Sequence, residues 1–522
     1  MGFREISLEL STDYDDETLK DAIAKALCIR DFTWQIQGKS LDARKKSKIH
    51  WLIRAGVLSD ELAGGEPFAY PELEIPWKKR TTKALVVGSG PAGFFAALVL
   101  QKAGFQTLLI ERGSKVAKRS EGIQQFESSG TFDSVNNYAF GEGGAGTFSD
   151  GKLTSRSKKV AAEKQFILSS YIRAGAPKEI EYLAHPHLGT DYLRSIVKGL
   201  REEFEALGGQ MRFETLLTDL IIKDKKVVGV VTATGDIPAD VVVIAPGHSA
   251  HETYRMLIRN RVQFQTKNFA IGCRVEHPQE LINLAQWGKT SLPGVKAADY
   301  RLTAKGDHLP VYTFCMCPGG MVVPAAAYAT TNIVNGMSRY KRNGDFANAA
   351  CVAGINLETL LKKPVEPLEA LDWLGELENR FYEYSKGYSA PFSTIHGFIK
   401  QQVPSRAVDT SYPLGLTPAP LWDLLPKEVG RSIAHGLTVF NRKLAGFDSG
   451  IILGLESKTS SPIQALREKD RCCQGFSNLY LAGEGSGWSG GIISSGVDGI
   501  RTAMAIVQKH SQSFTTAKKS DI

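Results

Sequence analysis

The segment Gly88-Ser89-Gly90-Pro91-Ala92-Gly93 fits the pattern G-x-G-x-x-G. Those spacings suit a backbone that grips a pyrophosphate. The first glycine makes a tight turn, the second lets the backbone approach the phosphates, and the third allows close helix–strand packing. Alone the pattern is weak, but its surroundings fit. Ala84-Leu85-Val86-Val87 reads as a short buried strand, Pro91–Ala103 as a helix with proline in its first turn, and Phe105–Ile110 as a second strand closed by Glu111. Helix amides and dipole would hold the phosphate charge, and Glu111 would accept hydrogen bonds from an adenosine ribose. The chemistry expected here is dinucleotide binding.

Two other segments match the same glycine pattern. Gly141-Glu-Gly143-Gly-Ala-Gly146 follows no buried strand and precedes no helix. Gly485-Ser-Gly487-Trp-Ser-Gly490 follows a strand and precedes a helix, yet no later strand exists to carry a ribose-binding acid. One complete βαβ unit therefore binds one dinucleotide, and the other clusters serve it from outside. A helix starting near Ile492, with Gly490 and Gly491 before it, would point its positive end at the ring of that dinucleotide and favour negative charge there.

Three separated motifs carry a resemblance. They are Val87–Gly104 with Glu111-Arg112-Gly113, then Ala239-Asp240-Val-Val-Val-Ile-Ala245-Pro246-Gly247, then Leu479-Tyr-Leu-Ala-Gly483-Glu484. Together they resemble the two-dinucleotide-binding-domain flavoprotein superfamily typified by glutathione reductase and p-hydroxybenzoate hydroxylase. Further stretches, including His185-Pro-His187-Leu-Gly-Thr-Asp191 and Leu455-Glu456-Ser-Lys458, look like a poorly characterised family of bacterial FAD-dependent dehydrogenases, over nearly the whole chain. The resemblance implies a non-covalent FAD held by Gly88 to Gly93, Glu111, Arg112, Gly247, Gly483 and Glu484. It extends that expectation to Gly146, Thr147, Asp150, Lys152, Leu217, Gly490, Gly491 and Ile492. Two positions depart from the superfamily pattern: Pro246 replaces a threonine, and Glu484 an aspartate one methylene shorter.

Hydride transfer coupled to proton transfer needs a His or carboxylate and a positive group near the flavin. His248, beside Gly247, has the best placement, with Glu456 and Lys458 as further catalytic candidates. His187, Asp191, Arg339 and Arg406 also stand in Gly-, Ser- or Pro-rich stretches. Residues 112–272 lack cysteine, which argues against the redox helix of a disulfide reductase. For Cys315-Met-Cys317 and Cys472-Cys473 the expectation is packing around tight turns, with redox activity as the alternative and no metal site.

These residues need a framework. The chain has 522 residues, 43% of them apolar and 23% charged, which excludes a disordered or fibrous protein and allows several cores. No apolar run approaches a membrane span, and seven cysteines suit a reducing, cytoplasmic setting. The expected architecture is α/β. A Rossmann-like FAD/NAD(P)-binding domain of glutathione reductase type spans 81–250 and 471–511, and an α+β substrate domain is inserted over 251–470. A small α+β domain occupies 1–62, a proline-rich linker 63–80 and a tail 512–522. Within 1–62 the pattern reads β-α-β-α, with a basic helix over Ala43–Leu58, and Val227–Thr234 and Ile237–Ala245 read as a hairpin about Gly235-Asp236.

The function expected is an FAD-dependent oxidoreductase, a dehydrogenase or reductase, moving a hydride between flavin N5 and a small organic substrate. NAD(P)H, or another electron partner such as a quinone or oxygen, would serve the flavin transiently. Net charge is +8, with a cluster at Arg44, Lys45, Lys46 and Lys48. The rival readings are an RNA-modifying flavoprotein that docks nucleic acid through that cluster, and an FAD-binding sensor without turnover. Oligomeric state is left open.

Overall fold

The computed structural model describes all residues except 68, 156, 306–308, 407 and 518–522, with backbone alone over 512–517. The first unit comprises β1 (Gly2–Leu10), α1 (Asp16–Leu27), β2 (Thr33–Asp42) and β3 (His50–Ser59). The carboxylate of Asp15 caps α1 by accepting from the Thr18 amide at 2.9 Å. The expected basic helix over Ala43–Leu58 is absent: residues 45–48 form the turn between two antiparallel strands. Ile53, Ala55 and Val57 alternate, so their period is that of a strand, and all three are buried with Leu19 and Ile23 of α1. As the central strand, β3 pairs with both β1 and β2. Arg44 and Lys48 of the basic cluster are ion-paired with Asp42 and Glu9.

After residues 60–82, of which the described ones carry no helix or strand, a parallel five-stranded sheet begins. It runs β21 (Leu479–Leu481), β10 (Val241–Ile244), β4 (Lys83–Val87), β5 (Gln106–Ile110) and β6 (Gln210–Arg212). The β4–β5 crossover is α2 (Pro91–Lys102), buried along nearly its whole length. It packs against the C-terminal helix α13 (Ile492–Ala517), which therefore continues into the expected tail; residues 518–522 of that tail lie outside the described residues. Helices α3 (Val116–Ser129), α4 (Ala161–Arg173) and α5 (Gly189–Ala206) precede β6.

Strands β7 (Leu217–Lys223), β8 (Lys226–Thr232) and β9 (Gly235–Pro238) form a separate antiparallel sheet. The expected hairpin is thus displaced: the turn lies at Ala233-Thr234, and Ile237–Ala245 is divided between β9 and β10. Asp240 marks the break. Its carboxylate accepts from the Lys83 amide at 2.8 Å, which lets the chain leave one sheet and enter the other.

Helix α6 (His251–Arg259) leads into the second large unit. A two-stranded ribbon pairs β11 (Phe264–Thr266) with β20 (Ile463–Ala465). Between them lies an eight-stranded sheet. Its members are β12 (Phe269–Pro278), β13 (Thr303–Ala304), β14 (Val311–Pro324), β15 (Val334–Ser338), β16 (Phe346–Ile355), β17 (Ala390–Thr394), β18 (Leu416–Pro418) and β19 (Ile451–Glu456). Strand β12 is central, antiparallel to both β16 and β19 and buried over nearly its full length. Helices α7 (Gln279–Trp287), α8 (Leu357–Leu361), α9 (Pro367–Ser385), α10 (Ile395–Lys400), α11 (Leu421–Leu424) and α12 (Lys427–Lys443) connect and cover these strands.

Candidate functional site

The loop between β4 and α2 is built for close approach. Gly88 has φ +97, and a Cβ there would fall on the carbonyl of Ala245 in the neighbouring crossover. A Cβ on Gly93 would strike the Gly88 carbonyl, so strand and helix can meet only with glycine at that position. Gly90 differs. A Cβ there would have open space, its nearest neighbour being the Gly144 Cα at 3.8 Å. Gly90 is also the N-cap of α2 and has no side chain to satisfy the first-turn amides. An uncapped helix N-terminus facing open space between two glycines is a cradle for a pyrophosphate.

The opposite wall is the segment 141–152, which is shaped from below by Arg119. That guanidinium is fully buried and donates to the carbonyls of Asn137, Tyr138, Glu142 and Gly144 at 2.8–3.0 Å. Burial lowers its pKa to about 10. Sequence reasoning missed Arg119, because a lone arginine inside a helix shows no pattern. Thr147 is buried, with its hydroxyl donating to the Glu142 carbonyl at 3.0 Å, and Gly146 packs against Ile492.

Glu111 lies at the end of β5 as expected, but its carboxylate is satisfied from within. One oxygen accepts from the Ser89 amide and hydroxyl, both at 2.8 Å; the other accepts from the amides of Gly113 and Gly141 at 2.9 and 3.0 Å. The structure thus makes Glu111 the clasp that holds the two walls together. Arg112 lies over the Phe140 ring and is ion-paired with Glu252. Leu217 is buried at the start of β7, just after Thr215, whose amide donates to the Glu111 carbonyl.

Asp150 and Lys152, expected to face FAD, are engaged with the second unit. The Asp150 carboxylate is fully buried and accepts from Arg342 at 2.7 and 3.1 Å, from Lys152 at 2.7 Å and from the Ser338 hydroxyl. Burial opposes its charge, but Lys152 and Arg342 outweigh it and hold the carboxyl well below the usual range. Lys152 is raised to about 12: burial opposes its charge too, and Asp150 prevails. Its ammonium also donates to the Met316 carbonyl of β14. His187 bonds the Tyr340 carbonyl at 3.0 Å, and its pKa falls to about 3 through burial and then Arg342. Asp191 accepts from the Tyr340 amide, while Arg339 and Arg406 are exposed.

The three catalytic candidates fare differently. Glu456 is buried in an ion pair with Arg274 at 2.7 Å, and Lys458 in another with Glu378 at 2.7 Å. Both are committed to buried pairs. His248 is not: it is only 8% exposed, yet neither ring nitrogen has a hydrogen-bond partner. The Lys458 backbone approaches the ring without forming a well-aligned bond. Burial, and then the Lys458 charge, push its pKa well down, so the ring is neutral.

Its Nδ1 stands 3.9 Å from the carboxylate of Glu484. Glu484 follows β21 and accepts from the Gly491 amide just before α13. Desolvation raises its pKa to about 7, against the lowering by that amide and by Lys267. The turn is fixed by Asp498, which takes the Gly483 amide at 2.9 Å and the guanidiniums of Arg467 and Arg471. A Cβ at Gly491 or Gly247 would meet nothing within 4 Å. Open space therefore borders a neutral histidine, a carboxyl poised near neutrality and a helix N-terminus. Perturbed groups that converge in this way make a candidate reaction site.

The cradle and its clasp have the form that a dinucleotide site requires. Residues 81–245 match the family described as an FAD binding domain, and residues 268–459 the one described as the C-terminal domain of FAD-dependent proteins. An uncharacterized protein of Clostridium beijerinckii is 37% identical over 532 aligned positions, covering 98% of this chain and 99% of that protein. The chain belongs to this family of FAD-dependent oxidoreductases, and it is an enzyme. Protein FixC of Escherichia coli O157:H7 is 28% identical over 203 positions, 38% of this chain and 44% of FixC. Among solved structures, a geranylgeranyl bacteriochlorophyll reductase-like protein from Thermoplasma acidophilum aligns at 14% identity and TM-score 0.36, covering 84% of this chain and 80% of that one. Glycine oxidase from Bacillus cereus aligns at 11% identity and TM-score 0.33, covering 83% and 96%. Likenesses this distant inform no part of the site. Among the described residues no helix is long and apolar enough to cross a membrane.

Proposed function

We propose that the enzyme moves a hydride between flavin N5 and a small organic substrate lodged between the FAD unit and the eight-stranded sheet, with His248 and Glu484 handling the coupled proton. The observation that carries this reading is the buried, unpartnered His248 ring 3.9 Å from Glu484. A neutral imidazole beside a carboxyl with a pKa about 7 can accept or return one proton near neutral pH. Bound FAD supplies the two-electron chemistry. It is held non-covalently in a glutathione-reductase-type domain, with Gly90 and the first amides of α2 on the pyrophosphate and Gly491 near the ring. Arg119 and Glu111 set the walls of the cradle, and Glu456 and Lys458 position neighbouring backbone rather than touch substrate. NAD(P)H serves as a transient electron donor, and the seven unpaired cysteines suit the cytoplasm.

The test is an anaerobic visible spectrum of the purified protein before and after addition of NADH and then NADPH. Flavin bands that bleach with one nucleotide support a nicotinamide-linked enzyme. Bands that persist with both move the reductant to the organic substrate itself, and a colourless protein that FAD does not reconstitute overturns the reading. His248→Gln is expected to keep its flavin and lower the rate of flavin reduction by about 10²-fold or more, the usual share of a general acid–base group.

A further inference from the structure

Strand β14 carries an irregularity at Cys315-Met316-Cys317. Phe314 pairs with Ala350 and Cys317 with Asn348, so β14 has one residue more than its partner across this step. Cys315 takes up the excess at φ +45, a conformation disfavoured by about 1–2 kcal/mol for a residue with a Cβ. The Cys317 thiol donates to the Cys315 carbonyl at 3.3 Å.

Two cations meet this bulge, the fully buried Arg274 and the partly exposed Lys152. Arg274 donates to the Cys315 carbonyl at 2.8 Å and reaches to 3.8 Å from the Cys317 sulfur. Lys152 donates to the Met316 carbonyl between them. Cys315 is partly exposed and Cys317 is buried, which is the order of an attacking and a resolving thiol. The neighbouring Cys317 thiol, then Lys152 and Arg274, lower the pKa of Cys315, and the neighbouring Cys315 raises that of Cys317. The buried Cys273, Cys351 and Cys473 show the opposite: burial leads in pushing their thiols up. The pair also lies at the right place. Lys152, which donates to the Met316 carbonyl, ends the segment whose Gly144 faces Gly90 across the cradle.

We propose that Cys315 and Cys317 form a dithiol/disulfide couple that exchanges two electrons with the bound FAD, a reading that rests on the FAD site described above. In the oxidising direction Cys315 starts as thiolate and Cys317 as thiol, and the sulfur–sulfur bond forms as the Cys317 S–H bond breaks. Two electrons and the Cys317 proton go to FAD, which ends as its reduced anion; the reverse step cleaves the disulfide and restores thiolate and thiol. Strain at the bulge keeps the disulfide easy to reduce, as suits a working couple rather than a structural bridge.

Anaerobic reductive titration of the FAD-bound protein, first treated with the thiol oxidant diamide and desalted, tests this. The wild type is expected to take up about four electrons per FAD, while Cys315→Ser and Cys317→Ser each take up about two. Alkylation after denaturation provides a measurement that needs no variant. In the oxidised wild type the tryptic peptide 306–339 should be unreactive and lighter by two hydrogens, and both of its thiols should return when the flavin is reduced. Uptake of about two electrons by a flavin-containing wild type, with both thiols alkylated throughout, overturns the couple and leaves the flavin reading standing. A protein that binds no FAD overturns both.

Discussion

At the scale of single residues the site depends on how far packing strips solvent from each charged group. Glu484 shows the consequence for pH. Its pKa in the folded chain is about 7, above the ordinary glutamate value, so the folded state binds more protons than the unfolded state between about pH 4.5 and 7. The contribution of this group to stability is therefore full at low pH and is lost as pH rises through that window. Thermal unfolding of the FAD-free protein should show this loss, and Glu484→Gln should flatten it; an unchanged slope in the variant would mean that Glu484 titrates normally. Asp150 makes a second residue-scale case. Asp150→Asn leaves the buried Arg342 and the partly exposed Lys152 without their counter-charge, and the expected cost is about 3 kcal/mol, read from the denaturant midpoint. Neither effect is written at the residue itself. Glu484 stands in the sequence as a glutamate after glycine, and only the desolvation of its folded surroundings raises its pKa.

Among the elements, the β4–α2 turn separates two roles of glycine that one motif joins. Gly90→Ala has room for its methyl in the empty protein, with 3.8 Å to Gly144, and is expected to fold with little loss of stability. That methyl fills the pyrophosphate space, so the flavin-to-protein absorbance ratio should fall sharply. Gly93→Ala places its Cβ on the Gly88 carbonyl and should lose both flavin and thermal stability. Gly491→Val is a third contrast: at φ +86 it costs about 1–2 kcal/mol of backbone strain and narrows the ring end of the cleft, so it should weaken FAD binding or shift its potential. Equal behaviour of the Gly90 and Gly93 variants would show that the loop is structural and not a ligand cradle. The βαβ unit was legible because its strands, proline-started helix and glycines all lie within one short stretch. The strand at His50–Ser59 was not, since lysine-rich residues before it gave a helical texture and its central place between β1 and β2 is a fact of pairing.

For the molecule as a whole, the FAD unit and the eight-stranded sheet are stitched by buried polar contacts, Asp150 with Arg342 and Lys152 with Met316. Ligand binding at their junction should stabilise both together. FAD at about 100 times its Kd is expected to add about 2.7 kcal/mol and to raise Tm in one cooperative transition. Two separate transitions, only one of them moved by FAD, would show that the units unfold independently. The N-terminal unit meets the body through backbone bonds of Lys39 with Tyr182 and Ala184, each 2.9 Å. Removal of residues 1–62 should therefore lower Tm and leave flavin content unchanged.

By itself the sequence determined what is local or strictly periodic: the dinucleotide loop, the buried parallel strands around it, the glycine-rich turn before the last helix, and His248 beside Gly247. These depend on backbone conformations that few residue types allow, so composition and spacing reveal them. The tertiary structure decided everything that depends on which distant groups share one dry volume. It turned Glu111 into a clasp, drew Asp150 and Lys152 toward Arg342 and β14, and put Glu456 and Lys458 into ion pairs with Arg274 and Glu378. It also placed Arg119 beneath the cradle and left the His248 ring without a partner. Burial sets the charge state and partners of a titratable group, and burial is a property of the packed chain rather than of any segment of it.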